Sequence, residues 1–385
     1  MTSTKIKKTV LFVFFLLIGI KNAFAHREKV YYLYGQIGDE EVAIQIDEYD
    51  SNCTATYMTL NDKYDHVLEG KILENGEFHL ISRYWDADKK ENIINDNITL
   101  IEKENDQWVG IWKYKRGKEV HFILKPISID ALNHPFIEVV KKYEVSPYKA
   151  YRTQNISFKK GKKQKISNGT RIENHTDPES GISFFRVLAD RKNNINPEQV
   201  NKRLLANHIE MINAKYSCVF TKNKGNYTCD YEVNFLNEKL ISYTSVIKKS
   251  CFTSSIKSYS TYHNYNLIDG EEPILDDLFW FDGKPKPELK VGDFNWMKYR
   301  YNVFGPKVLE ILTALYPQRI KASESSSCNY NAVKMWQFPI WHLTFKGVFL
   351  RNKSFDEEKC GEISWSVIPF EVLKDYISKE YKLID

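Results

Sequence analysis

Five carboxylates crowd nine positions inside "YHNYNLIDGEEPILDDLF" (Tyr262–Phe279): Asp269, Glu271, Glu272, Asp276 and Asp277. Paired acids can serve as general acid and base at a glycosidic bond, and clustered carboxylates can hold a hard cation. The local pattern also gives each acid a structural task. Asp269-Gly270 is a turn dipeptide, Glu271 and Glu272 fall in the solvated part of that turn, and Pro273 resets the chain. Asp276 or Asp277 can cap a helical turn in which Leu275, Leu278 and Phe279 point inward. Spacing along the chain does not fix separation in space, so an enzyme acting on a cell-wall glycan through dispersed acids stays open as an alternative.

Other chemistry has little support. No GxSxG, HExxH, phosphate-binding loop or dinucleotide fingerprint occurs. Ser-x-x-Lys appears at Ser157/Lys160, Ser245/Lys248 and Ser254/Lys257, but in strand-like runs where residues three apart point to opposite faces. The nine histidines are scattered singly, and no CxxC or HxxxH spacing suggests a metal. "DADKKENIIND" resembles a calcium loop only at Asp86 and Asp88 and reads as a surface loop. The expectation is therefore no catalytic constellation, no metal and no cofactor.

The N-terminus points outward. Lys5, Lys7 and Lys8 precede the eleven-residue apolar run Val10 to Ile20, and Ala23 and Ala25 have the spacing of a signal-peptidase site. Cleavage after Ala25 predicts an exported chain, periplasmic or secreted, with no transmembrane segment in its mature form. Losing the four lysines of residues 1–25 lowers the basic count from 55 to 51 against 50 acidic residues, a net charge of +1. Near neutrality gives no electrostatic case for nucleic acid. The lysine-rich "SFKKGKKQK" (Lys159, Lys160, Lys162, Lys163, Lys165) reads as a solvated loop, or else as a contact with an anionic surface.

Six cysteines in an exported chain favour disulfides. "KYSCVF" and "YTCDYE" flank "TKNKGN". A four-residue loop at Lys222–Gly225 would pair Thr221 with Asn226 and set Cys218 opposite Cys229, close enough to bridge. Cys328–Cys360 is the second expected pair, leaving Cys53 and Cys251 for each other or unpaired.

The periodicity predicts an α+β fold. Residues 26–127 read as an antiparallel meander of eight short strands, a small up-and-down barrel or a curled sheet. Residues 128–180 read as a linker with the first strands of a second domain. Residues 181–385 read as an α+β domain with an antiparallel sheet and two to three helices. Its elements are a strand at "GISFFRVL" and a helix at "NPEQVNKRLLANHIEMI" with Asn196 as cap and His208 near its packed face. Strand runs up to Ile268, a helix at "GPKVLEILTALYP", and a last short helix at "FEVLKDYISKEY" follow.

The strand ending in "YNLIDGEEPILDDLF" resembles the extracellular domain of the RsiV-type lysozyme-sensing anti-sigma factors, a domain also found beside a peptidoglycan deacetylase. The preceding "YEVNFLNEKLISYTSVI", the helix "VLEILTALYP" and the closing "SVIPFEVLKDYI" fit its order, over roughly residues 181–380. Where that family often carries a Gly- and His-containing loop, this chain reads "KKSCFTSSIKS". No sigma-binding segment or deacetylase domain accompanies the match. The resemblance implies a non-catalytic binding protein of the bacterial envelope, with lysozyme or a peptidoglycan component as partner. Aromatic contacts are expected at Tyr259, Tyr262, Trp336 and Trp341. A carrier of a small apolar ligand in the N-terminal barrel is the remaining alternative.

Overall fold

The computed structural model describes residues 29–86, 91–114, 118–166, 169–190, 194–220, 223–251, 255–321, 329–352, 364–381 and 383. The expected signal peptide, Cys328 and Cys360 lie outside these residues. The chain is α+β, built mostly of antiparallel sheet. It divides into two compact units: Met1–Ile137 with Glu144–Asn155 and Tyr216–Gly225, and Glu138–Tyr143 with Ile156–Lys215 and Asn226–Asp385.

The first unit is a closed barrel of eight strands: β1 (Lys29–Ile37), β2 (Glu40–Tyr49), β3 (Asn52–Thr59), β4 (His66–Ile72), β5 (Phe78–Asp86), β6 (Glu91–Glu102), β7 (Trp108–Tyr114) and β8 (Glu119–Pro126). Each strand pairs with the next, and β1 closes onto β8 from Leu33↔Pro126 to Gln36↔Ile123. Alternation sends Ile44, Leu68, Leu80, Ile98 and Leu124 inward, all 0% exposed. Two glycines let the wall bend sharply. A Cβ on Gly70 would lie 2.4 Å from the His79 carbonyl oxygen, and one on Gly110 would lie 2.5 Å from the Phe122 ring. The interior is filled by the chain's own side chains, with Tyr31 and Phe78 packed on Trp108 at ring separations of 4.9 and 5.3 Å. An apolar ligand inside this barrel would have to displace that core.

A short helix, Pro147–Arg152, lies against the outer face of β2 and β3, where Ala43 and Met58 pack with Tyr148 and Tyr151. Ser146 caps it and Pro147 opens it, a start signal within the segment expected to be a linker. Arg152, 1% exposed, is ion-paired with the buried Asp65, which also accepts a 2.8 Å hydrogen bond from the Tyr148 hydroxyl.

In the second unit, β9 (Lys159–Lys165), β10 (Arg171–Thr176) and β11 (Ser183–Val187) form one sheet, in the order β11-β10-β9. The lysine run is therefore an edge strand rather than a loop, exposed at every residue. Its charges discourage pairing with a foreign strand. The helix Glu198–Tyr216 begins as expected, with the Asn196 side chain accepting from the Glu198 N–H at 3.3 Å. β14 (Asn226–Leu236), β15 (Leu240–Ser250) and β16 (Lys257–Asn266) make a second sheet. β17 (Pro339–Thr344), β18 (Gly347–Asn352) and β19 (Val367–Pro369) make a third. The helix Gly305–Leu315 stands where "GPKVLEILTALYP" predicts it, whereas the final helix shrinks to Phe370–Leu373 and a turn at Lys379–Tyr381.

The cysteine expectations need correction. Cys218 is bonded to Cys251, and Cys229 and Cys53 are free thiols. The hairpin after Cys218 is tighter than expected: β12 (Val219–Phe220) pairs with β13 (Asn223–Lys224), and the Gly225 N–H donates to the Cys218 carbonyl at 2.8 Å. Cys218 thus faces Gly225, and Cys229 stands opposite Ile247 on β15. The same register sets Asn226 opposite Ser250, the neighbour of Cys251. Cys53 lies in the barrel core and cannot serve Cys251; burial pushes its thiol up to about 11, and that of Cys229 likewise to about 11. Non-reducing peptide mapping should recover a Cys218–Cys251 link, with Cys53 alkylated only after unfolding. Cys251→Ser should cost about 2–4 kcal/mol in denaturant unfolding.

His208, near the packed face of its helix, is wholly buried. Its Nε2–H donates to the Ile182 carbonyl at 3.0 Å, leaving Nδ1 to accept from Arg186 at 3.4 Å. Burial first, then the Arg186 charge, lowers its pKa from 6.5 to about 3. The unfolded chain takes up this proton below pH ~6.5 and the folded chain does not, so stability falls as pH drops from there toward 3. Urea midpoints should decline over that window, and His208→Gln should flatten the slope by up to about 1.4 kcal/mol per pH unit.

Candidate functional site

The acidic stretch folds into an anchored turn followed by a buried ion pair. Gly270 takes φ +77°, and a Cβ there would meet the Gln199 carbonyl oxygen at 2.8 Å, so glycine is required on both counts. The Asp269 carboxylate accepts from the Glu271 N–H at 2.8 Å. Arg203 donates to the Gly270 carbonyl at 3.2 Å and to Glu271 at 3.1 Å, while lying 4.2 Å over the Tyr143 ring. Glu272 is exposed. Leu275, Leu278 and Phe279 point into the core, as expected.

Asp276 and Asp277 do not cap the helix Leu275–Leu278; its cap position is Ile274, and both acids lie in the first turn. Asp276 is 0% exposed. One of its oxygens accepts from Arg300 Nη2 at 2.8 Å, Arg300 Nε at 3.2 Å and the Trp296 indole N–H at 2.8 Å. The Arg300 guanidinium lies 4.0 Å over the Phe304 ring. Asp277 is ion-paired with Lys286. These two acids therefore hold neighbouring segments in place and do not face a shared solvent gap as a catalytic pair would. Among the described residues, no group of three or more His, Cys, Asp or Glu is arranged to hold a metal ion.

Immediately downstream, the ion pairs frame a cleft of about 370 Å³. One wall is the loop after Phe279, with Asp282, Pro287, Glu288 and Leu289; the other is the helix Phe294–Tyr299 and the turn that follows, with Asn295, Lys298, Asn302 and Val303. Trp280 and Tyr299 stack at 4.0 Å with 17° between planes and line the same cleft. Arg300–Phe304 is a π-turn closed by the Gly305 N–H on the Arg300 carbonyl, inside helix that otherwise runs on to Leu315. Such one-turn insertions are rare and gather at functional sites. The loop is tied at several points. The Trp280 N–H donates to the Tyr376 carbonyl at 2.9 Å and its indole N–H to the Lys284 carbonyl at 2.8 Å, and Asp293 caps the helix through the Trp296 N–H at 2.6 Å.

A second groove, of about 670 Å³, crosses the outside of β3, β4 and β5, with Thr54, Glu69, Lys71, His79 and Arg83 among its lining. It carries both charge signs without a stacked aromatic floor. The cleft at Trp280–Val303 combines an apolar platform with a few convergent polar groups in the volume range of ligand sites, and is the candidate site.

The four aromatic contacts expected from sequence are not gathered there. Trp336 is 1% exposed, a core residue whose indole N–H donates to the Tyr330 carbonyl at 2.8 Å, so it cannot serve as a surface contact. Tyr262 is half-buried and stacks on His342 at 4.6 Å. Trp341 is half-buried on β17, its carbonyl taking a 3.1 Å hydrogen bond from Asn264. Tyr259 alone of the four is well exposed, at 39%. Sequence reasoning passed over residues 280–304. Three signals mark them: Trp280 just after the apolar turn, the Pro- and Lys-rich "KPKPELK", and Asp293 three residues before Trp296 as a helix cap.

No protein-family model matches the chain, and no curated protein matches it in sequence. One solved structure similar to it is a member of the DUF3298 family, a domain of unknown function, from Bacteroides fragilis. The match has 10% identity and a TM-score of 0.29 and covers 59% of this chain and 96% of that one; at that score it carries no functional argument.

Asp276→Ala leaves Arg300 charged and buried without its partner. It should destabilise the second unit by about 3–5 kcal/mol in urea unfolding followed by tryptophan fluorescence. Asp282→Asn, on the exposed loop, should stay within about 0.5 kcal/mol of the unaltered chain.

Proposed function

We propose that this is an exported, non-catalytic binding protein of the bacterial envelope, and that its second unit engages a cell-wall component. The observation that carries this reading is the Trp280–Val303 cleft, where a stacked aromatic pair and unpaired amide and carboxylate side chains meet between a tied-down loop and a helix. The disulfide and the signal-like N-terminus support export. Among the described residues, no helix is long and apolar enough to cross a membrane. A binding role, in place of turnover, is favoured by the burial of Asp276 and the ion pairing of Asp277, two acids of the crowded stretch.

A second reading, binding of lysozyme, is carried by the "YNLIDGEEPILDDLF" stretch and its likeness to the lysozyme-sensing domain. One experiment separates the two. The oxidised chain from His26 is sedimented with purified peptidoglycan sacculi and, in parallel, titrated with c-type lysozyme by calorimetry while lysis is followed. Retention on sacculi without heat from lysozyme is the expected result. Lysozyme binding without retention would replace the first reading by the second. Release of soluble wall fragments by the protein alone would overturn both and make it an enzyme.

A further inference from the structure

Building on the envelope-binding reading, we propose that the Trp280–Val303 cleft is a saccharide subsite that takes an uncharged, N-acetylated amino-sugar oligosaccharide. The floor is aromatic. The Trp280 indole N–H is already satisfied by Lys284, so the ring offers the cleft an apolar π surface, backed by Tyr299. A pyranose ring has one face of C–H groups that lies against such a surface through dispersion and weak C–H···π contacts.

The rim is polar and unspent. Asn295 and Asn302 each carry an amide that donates and accepts, Asp282 and Glu288 accept, and Lys298 donates. Among the described residues, none of these five side chains makes a hydrogen bond within the protein. Their mixture of signs selects against charged ligands: Lys298 opposes a cation, and the two carboxylates oppose an anion. A neutral ligand rich in hydroxyls meets all five, and an acetamido group matches an asparagine amide donor for acceptor.

The cleft is formed in advance of binding. Its loop is held by the Asp277–Lys286 pair and the Trp280–Tyr376 backbone bond, and its helix by Asp276 on Trp296 and Arg300. Little ordering is left for the ligand to impose, which favours a weak sugar contact becoming measurable.

The test titrates the mature chain with the β-1,4-linked tetramer of N-acetylglucosamine, read by tryptophan fluorescence and saturation-transfer NMR. Binding with a Kd below about 1 mM is expected. Trp280→Ala should weaken it about tenfold or more, and cellotetraose, which lacks the acetamido groups, should bind several-fold more weakly. If Trp280→Ala fails to fold, the exposed double variant Asn295→Ala/Asn302→Ala carries the same test and should also weaken binding. Unchanged affinity in the folded variant overturns the proposal, as does displacement of the tetramer by a lysine-rich peptide. Sacculus retention without tetramer binding overturns the saccharide subsite and leaves the envelope reading standing; loss of both removes the two together.

Discussion

The buried pair Asp276–Arg300 is the constraint on which the architecture around the cleft depends. A carboxylate with no solvent exposure is costly unless its charge is matched and its lone pairs are used. Arg300 matches the charge and, with Trp296 on the same helical segment, satisfies Oδ2, while Oδ1 has no hydrogen-bond partner among the described residues. The two donors fix the segment's distance from the short helix at Leu275–Leu278. The apolar side chains on either side, Leu275, Leu278, Phe279 and Phe304, belong to one core. The ion pair therefore sets orientation where hydrophobic packing by itself would leave freedom to slide. Through Trp296 and Arg300 the same contact places Asn295, Lys298 and Asn302 along the cleft.

The barrel solves a comparable problem by other means. Its β1–β8 pairing removes the sheet's edges, and Gly70 and Gly110 admit the backbone approaches that a small circumference demands. Large rings then fill the inside. Outside the barrel wall, Asp65 and Arg152 lock a short helix against β2 and β3. Again a buried charge pair specifies where an element docks, while apolar contacts supply the bulk of the burial. In the second unit the edge strand β9 carries five lysines, a common protection of such an edge.

The acids of the opening stretch show how one composition can support two chemistries. Crowded along the chain, they resemble a catalytic or metal cluster. In space they separate: Asp269 and Glu271 bind the turn to itself and to Arg203, Asp277 reaches Lys286, and Asp276 turns inward. The groups left free to meet a ligand, Asp282 and Glu288, lie farther along, in a loop whose sequence has no catalytic spacing.

What the sequence determined by itself was local. Alternation and turn dipeptides specify the eight barrel strands, Asn196 caps the helix at Glu198, Pro306 sits in the first turn of the helix Gly305–Leu315, and Asp269-Gly270 marks its turn, because each depends on neighbours a few positions away. Tertiary structure decided the rest. Whether the meander closes depends on β1 meeting β8, about ninety residues later. Cys218 joins Cys251 and not Cys229 because a tighter hairpin shifts the register, which spacing cannot foretell. Trp336 and Trp280 are the same residue type in similar company, yet one is core and the other lines a cleft. That difference arises only when Asp276 finds Arg300 across twenty-four positions and draws the loop and helix to either side of an opening.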